Sequence, residues 1–319
     1  MRSKNRIFFE STHINTQKIN QKPCNFCKFD FQTYLMYNYL SAENIHHFIQ
    51  EALAEDVGPG DYTSLSTVPG NKTGKAQLLV KDEGIIAGVE MAKYVFKEVD
   101  PSLVVETFIH DGQFVKKGDV VLHVLGNSQA ILKAERLVLN CMQRMSGIAT
   151  YTRKLCDIIL GTKAQLLDTR KTTPNFRIAE KWACKIGGAV NHRYGLFDMI
   201  LIKDNHVDYS GGIQQALENT FTYLKTNQLP LKVEIEVRSF EELQEVISIG
   251  GVDRILLDNF TPDQIRDAVR LVDKRFITEA SGGINESTLR KYAETGVDYI
   301  SMGALTHQVK SLDLSLKAF

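Results

Sequence analysis

"LKVEIEVRSFEELQEVISIGGVDRILLD", Leu231–Asp258, reads as one strand, one helix and a second strand. Val233, Ile235 and Val237 alternate with Glu234 and Glu236, the two-residue period of an extended chain. Ser239 with Glu242 three residues on predicts a capping box at a helix start, and Gly250 predicts its stop. "DRILLD" then returns to an apolar run. Such a unit suggests parallel strands covered by a helix.

The unit recurs on both sides. Thr261 with Gln264, and Pro262 in the first turn, open another helix ahead of "RFITEA". "AQLLDT" and "FDMILIK" come before, and "DYISMG" comes after. Six or seven such runs without a dinucleotide glycine fingerprint favour a β/α barrel over a Rossmann sheet.

Upstream of about Lys163 the style differs. "SAENIHHFIQEALAEDV" predicts an amphipathic helix with Ser41 as N-cap. The short runs "KAQLLV", "GIIAG", "LVVETFI" and "DVVLHVLG", parted by glycine and aspartate turns, predict a small mixed or antiparallel domain. A long helical pattern then runs from Ala130 to Leu160. Ala134, Leu137, Val138, Cys141 and Met145 share one face, and Gly147 is expected to interrupt it.

Lys+Arg and Asp+Glu both number 38, which argues against a nucleic-acid wrapper. No apolar run reaches bilayer-spanning length. The first residues lack a long apolar segment of secretory type. A cytoplasmic protein is expected, with a polar, disordered extension over residues 1–35, for which organelle targeting is the weaker alternative, and Met36 as an alternative start. Five cysteines, an odd and scattered set, suit a reducing compartment. Cys24 and Cys27 form "CNFC" without a second pair, so no zinc site is expected there.

The residues just after each apolar run suggest chemistry. The sequence gives Thr169, Arg170 and Lys171; then Lys203; Glu236; Asp258; Ser281, Gly282 and Gly283; and Gly303. A barrel opens its functional face at the carboxyl ends of its strands, so these residues would ring one mouth. One side is cationic: Arg170, Lys171, Arg193 and Lys203, with His192 beside them. Guanidinium groups grip carboxylate or phosphate oxygens in pairs, which suits a polyanionic substrate. Glu234, Glu236 and Asp258 form the other side. Near a bound phosphate they suggest Mg²⁺, although each acid equally reads as a partner for a pocket lysine. Backbone N–H groups of "SGG" and of Gly303–Ala304 suit a phosphate. No "GxxxxGK[ST]" or "HExxH" supports an ATPase or a zinc protease.

These segments resemble the quinolinate phosphoribosyltransferase family, also called nicotinate-nucleotide pyrophosphorylase (carboxylating). The resemblance rests on "EDVGPGDYTS", "AERLVLNCMQRMSGIATYT", "DTRKTTPNFR", "GGAVNHRYGLFDMILIKDNH", "ILLDN", "EASGGI" and "YAETGVDYISMGALTH", from about Tyr39 to Leu316. It implies an N-terminal α/β sandwich-like domain, residues 36–145, and an incomplete, TIM-like β/α barrel, residues 146–300. Residues 301–319 would complete the barrel and pack on the first domain. It further implies phosphoribosyl transfer to quinolinate from phosphoribosyl pyrophosphate, with Mg²⁺, giving nicotinate mononucleotide, CO₂ and pyrophosphate for de novo NAD synthesis. Family members are at least homodimers with shared sites.

By this resemblance Thr169, Arg170, Lys171, His192, Arg193 and Lys203 would serve the pyridine dicarboxylate, with Arg136 reaching in from the partner subunit. Lys171, Glu236 and Asp258 would be catalytic, the two acids also serving the ribose and the metal. Ser281, Gly282, Gly283, Gly303 and Ala304 would receive the 5′-phosphate. Two rival readings remain: a relative acting on nicotinate, which needs fewer cations and releases no CO₂, and a silent metabolite-binding protein.

Overall fold

A computed structural model describes residues 38–319; the extension 1–35, Cys24, Cys27 and Met36 lie outside the described residues. The first part runs α1 (Ala42–Val57), α2 (Tyr62–Thr67), β1 (Thr73–Val80), β2 (Gly84–Ile85) and α3 (Val89–Val99). It continues with β3 (Val104–Thr107), β4 (Phe114–Val115), β5 (Val120–Asn127) and the long α4 (Ser128–Ile158). The second part alternates: β6 (Gln165–Leu167), α5 (Arg177–Gly187), β7 (Ile200–Ile202), α6 (Asp204–Ser210), α7 (Ile213–Thr226), β8 (Val233–Val237) and α8 (Phe240–Ile249). Then come β9 (Arg254–Asp258), α9 (Pro262–Val272), β10 (Ile277–Ser281), α10 (Leu289–Ala293), β11 (Tyr299–Ser301), α11 (Ala304–His307) and β12 (Leu314–Ala318).

The strand–helix–strand pattern of 231–258 is β8–α8–β9, paired in parallel with Glu236 opposite Leu256. Six parallel strands form one curved sheet in the order β6-β11-β10-β9-β8-β7. The sheet does not close on itself, so the barrel is incomplete. All five residues of β8 are buried, as expected for a parallel strand covered on both faces.

The caps obey local chemistry. Ser41 Oγ accepts the Asn44 N–H and starts α1. Thr261 and Gln264 form the reciprocal box at α9. At α8 only half a box forms: Ser239 Oγ accepts the Glu242 N–H, while the Glu242 carboxylate takes the N–H of Arg238 at 2.6 Å.

The first sheet has the antiparallel order β12-β1-β5-β3. Its edge strand β12 comes from residues 314–318, with Leu316 opposite Leu78. Between the sheets runs α4, which buries Ala134, Leu137, Val138, Cys141 and Met145. The expected break at Gly147 does not occur. Glycine there costs about 1 kcal/mol of helix propensity. However, a Cβ would collide with the Lys310 carbonyl and come within 3.0 Å of the Ser311 Cα. Gly147 is a crossing point, where the chain leading to β12 passes over the helix.

Candidate active site

The residues singled out from the sequence gather at the carboxyl ends of the parallel strands. Thr169, Arg170 and Lys171 come after β6, Lys203 after β7, Glu236 and Asp258 lie near or at the ends of β8 and β9, Ser281 ends β10, and Gly303 comes after β11. Asp258 and Ser281 are direct neighbours across the ladder. Lys171 and Gly303 also meet, since a Cβ on Gly303 would come within 2.9 Å of Lys171 Cδ and of His307 Nε2.

The cationic segments are irregular backbone, and buried acids hold them. Asp168 is fully buried and pairs with the equally buried Lys181 on α5. It also accepts the His192 N–H at 2.8 Å and the Asn191 amide at 2.5 Å. Glu180 accepts the Thr173 N–H and hydroxyl, each at 3.0 Å, and a pair of bonds from Arg144 of α4. Arg144 also donates to the carbonyls of Thr306 and Val309, while the Thr306 hydroxyl donates to the Lys171 carbonyl at 2.7 Å. Thr169 Oγ1 accepts the Lys171 N–H at 3.1 Å, so it shapes the turn.

Arg193 is buried and its Nη1 donates to the Met199 carbonyl at 3.2 Å. Burial and the neighbouring charge of Arg170 hold its pKa below the usual arginine range. Arg170 Nε is buried without a hydrogen-bond partner. Arg170 thus keeps a buried donor unused near the like charge of Arg193, an arrangement an incoming anion would relieve.

His192 is placed differently from the sequence grouping. Its ring turns toward the barrel interior, where Nε2 lies 3.1 Å from Glu234 and 3.5 Å from Glu279. Nδ1 accepts the Arg193 N–H at 2.7 Å. Burial opposes charge on this ring, but the two carboxylates outweigh it and push the pKa up to about 9. Charging the ring would surrender the Arg193 contact, which needs a lone pair on Nδ1. Arg254 completes the cluster, 2.8 Å from Glu279 and 3.6 Å from Glu234. Burial and the Glu279 charge raise the Glu234 pKa. The donor atoms of His192, Glu234 and Glu279 lie within 4.8 Å of one another, close enough for a metal ion, but Arg254 already supplies positive charge there.

Glu236 is buried and its Oε2 pairs with Lys203 Nζ at 3.0 Å. Asp258 Oδ2 accepts the Asn259 amide at 2.6 Å. Gly282 has φ 97°, and a Cβ there would press on the Asn259 nitrogen at 2.7 Å, so the loop after β10 requires glycine. Arg136 lies on the exposed face of α4 and has no hydrogen bond or ion pair among the described residues. The structure does not bring it to the other cations of its own chain.

Glu279, Arg254, Asp168, Glu180 and Arg144 escaped the sequence reading. An isolated charge in an apolar run reads as a solvent-facing residue, and only the curved sheet shows that Glu279 points inward. His307 carried a signal in "GALTH", one helical turn beyond Gly303.

Known proteins resemble this chain over most of its described length. The family model described as "Quinolinate phosphoribosyl transferase, C-terminal domain" matches residues 148–317, and its N-terminal counterpart matches residues 61–146. The chain is 46% identical over 289 residues to quinolinate phosphoribosyltransferase [decarboxylating] 2, mitochondrial, of Nicotiana glauca, covering 86% of this chain and 82% of that one. It is 41% identical to a probable nicotinate-nucleotide pyrophosphorylase [carboxylating] of Bacillus subtilis, covering 88% and 94%. Among solved structures, NadC from Streptococcus pyogenes superposes with TM-score 0.81 at 36% identity, covering 87% of this chain and 97% of that one.

Proposed function

The chain belongs to the quinolinate phosphoribosyltransferase family, and from that premise we infer how its own residues carry the reaction. The enzyme transfers a phosphoribosyl group from phosphoribosyl pyrophosphate to the ring nitrogen of quinolinate. It releases pyrophosphate and CO₂ and yields nicotinate mononucleotide for NAD synthesis. The observation that carries this reading is the gathering of Arg170, Lys171, Lys203, Glu236 and Asp258 at the carboxyl ends of the parallel strands, with a buried donor of Arg170 unused.

Both substrates are polyanions and must share one pocket. Arg170, Lys171, Arg193 and Lys203 offset their mutual repulsion, most strongly where water is excluded. His192 stands behind these groups, facing Glu234 and Glu279. The pyridine nitrogen attacks ribose C1 as the C1–O bond to pyrophosphate breaks. The acids Glu236 and Asp258 stabilise the positive charge that develops on the sugar and orient its hydroxyls. The bonded nitrogen is then cationic and accepts the electron pair left at C2 when CO₂ departs. A proton replaces CO₂ at C2. The loops of Ser281–Gly283 and Gly303–Ala304 offer N–H groups to the 5′-phosphate.

Two carboxylates at the ends of adjacent strands form a hard-oxygen donor set, which fits Mg²⁺ held partly by the diphosphate. When bound, the ion neutralises charge on the leaving group. Lys203 pairs with Glu236 and is half-exposed, so it can release the acid. A homodimer would bring the exposed Arg136 into the partner's pocket. No described helix is long and apolar enough to cross a membrane. We place the protein in the cytoplasm, whereas several plant relatives are named mitochondrial or chloroplastic.

The deciding experiment incubates the protein with quinolinate and phosphoribosyl pyrophosphate and tracks CO₂ and pyrophosphate together. Equimolar release of both is expected. In a parallel incubation with nicotinate, pyrophosphate released there but not with quinolinate would assign the other pyridine chemistry, and release from neither would leave a binding protein.

A further inference from the structure

Tyr39 holds both ends of the segment that carries His192 and Arg193. Its hydroxyl donates to Asn191 Oδ1 at 2.6 Å. Its ring stacks on Tyr194, with centroids 5.0 Å apart and planes 18° from parallel. Only His192 and Arg193 lie between these contacts. The segment has no regular secondary structure, so its shape depends on side chains that reach it from elsewhere. Asp168 and Arg177 do so from the barrel, Asp168 taking the His192 N–H and Arg177 donating to the Tyr194 carbonyl, while Asp198, further along the same loop, accepts the N–H groups of Tyr194 and Gly195. Tyr39 reaches it from ahead of α1, outside residues 61–146 and 148–317 where the family models match. Burial pushes the pKa of its hydroxyl up, so it remains a donor at all working pH values.

We propose that Tyr39 is a positioning residue for the quinolinate pocket, a clip from the amino-terminal segment that keeps Arg193 aligned with Arg170. The inference rests on the reading that Arg193 grips a quinolinate carboxylate. Affinity for a rigid dicarboxylate depends on two guanidinium groups being set at a fixed separation, and a small displacement of one degrades the pair. By the same reading the sugar diphosphate is met by Glu236 and Asp258, which Tyr39 does not touch.

The test uses full-length Tyr39→Phe, Tyr39→Leu and Arg193→Ala, with steady-state kinetics for each substrate and thermal melts. Tyr39→Phe keeps the stack and loses one hydrogen bond, so the quinolinate KM should rise about fivefold. Tyr39→Leu frees both ends, and the rise should reach about thirtyfold, with the sugar diphosphate KM within about twofold for both variants. A residue that merely braced the fold would lower the melting temperature and leave KM alone. That outcome, or equal rises for both substrates, would overturn the clip. Should Tyr39→Leu not fold, the milder Tyr39→Phe decides by the same split. Unimpaired Tyr39 variants beside a crippled Arg193→Ala overturn the clip and leave the pocket reading standing. A wild-type quinolinate KM for Arg193→Ala fails the pocket reading, and the clip falls with it.

Discussion

Asp168 accepts the backbone N–H of His192 at 2.8 Å while sharing the same oxygen with Lys181. One buried carboxylate thus ties the segment after β6 to the segment that carries Arg193. Removing its charge strands Lys181 in the core. Asp168→Asn should cost about 3 kcal/mol in urea unfolding. Adding Lys181→Met should return much of it, because the acceptor oxygen stays and the buried charge goes. Simple additivity of the two changes would contradict the pairing.

Arg193→Ala and Lys203→Ala should each lower kcat/KM for quinolinate by about 30-fold or more, equivalent to about 2–5 kcal/mol, where an anion is gripped in a dry pocket. Melting temperatures separate lost chemistry from lost folding. Near-normal kinetics in a folded variant would remove that residue from the wall.

Changing Glu236 to Gln together with Asp258 to Asn should weaken phosphoribosyl pyrophosphate far more than quinolinate, by about tenfold or more in Mg²⁺ buffer. Calorimetric titration of each ligand alone gives the comparison. Equal losses would mean that the acids only buttress the cations.

The proton on His192 makes a signed prediction. Its pKa is about 9 in the folded protein, despite burial, because of Glu234 and Glu279. In the unfolded chain it is about 6.5. A raised value means the bound proton stabilises the fold: the contribution is complete below about pH 6.5 and is lost as pH rises through about 9. The stability gap between wild type and His192→Gln should therefore narrow over that window. A flat gap would mean that the ring stays neutral, as the Arg193 contact on Nδ1 requires.

Mixing Arg136→Ala chains with Lys171→Ala chains tests the shared site. If Arg136 serves its partner, a mixed dimer holds one doubly damaged site and one intact site, so activity should return toward about one half per verified heterodimer. No recovery would return Arg136 to its own subunit or to the solvent.

Much of the barrel was legible because each strand is a short apolar run and each run ends on a polar residue or glycine. Arg170, Lys203, Asp258 and Ser281 obey that rule. Glu279 and Arg254 were hidden because period-two alternation tells which residues share a face, not which face is inside. Asp168 stands at the head of "DTRKTTPNFR", but its partner Lys181 is thirteen residues away on a helix, where a lysine ordinarily reads as solvated. Gly147 misled for a related reason. Helix propensity is local, whereas the Lys310 backbone that needs the space comes from far along the chain. Tyr39 was out of reach because stacking on Tyr194 leaves no periodic trace.

The pairing of β12 with β1 has a consequence for synthesis. An amino-terminal domain ordinarily folds while later residues are still being made. Here the first sheet exposes the β1 edge until residues 314–318 have been translated and have crossed α4 at Gly147. Throughout elongation that edge presents unpaired N–H and C=O groups, open to a strand from a neighbouring nascent chain. The strand at residues 314–318 is therefore the one that covers the β1 edge and completes the first sheet.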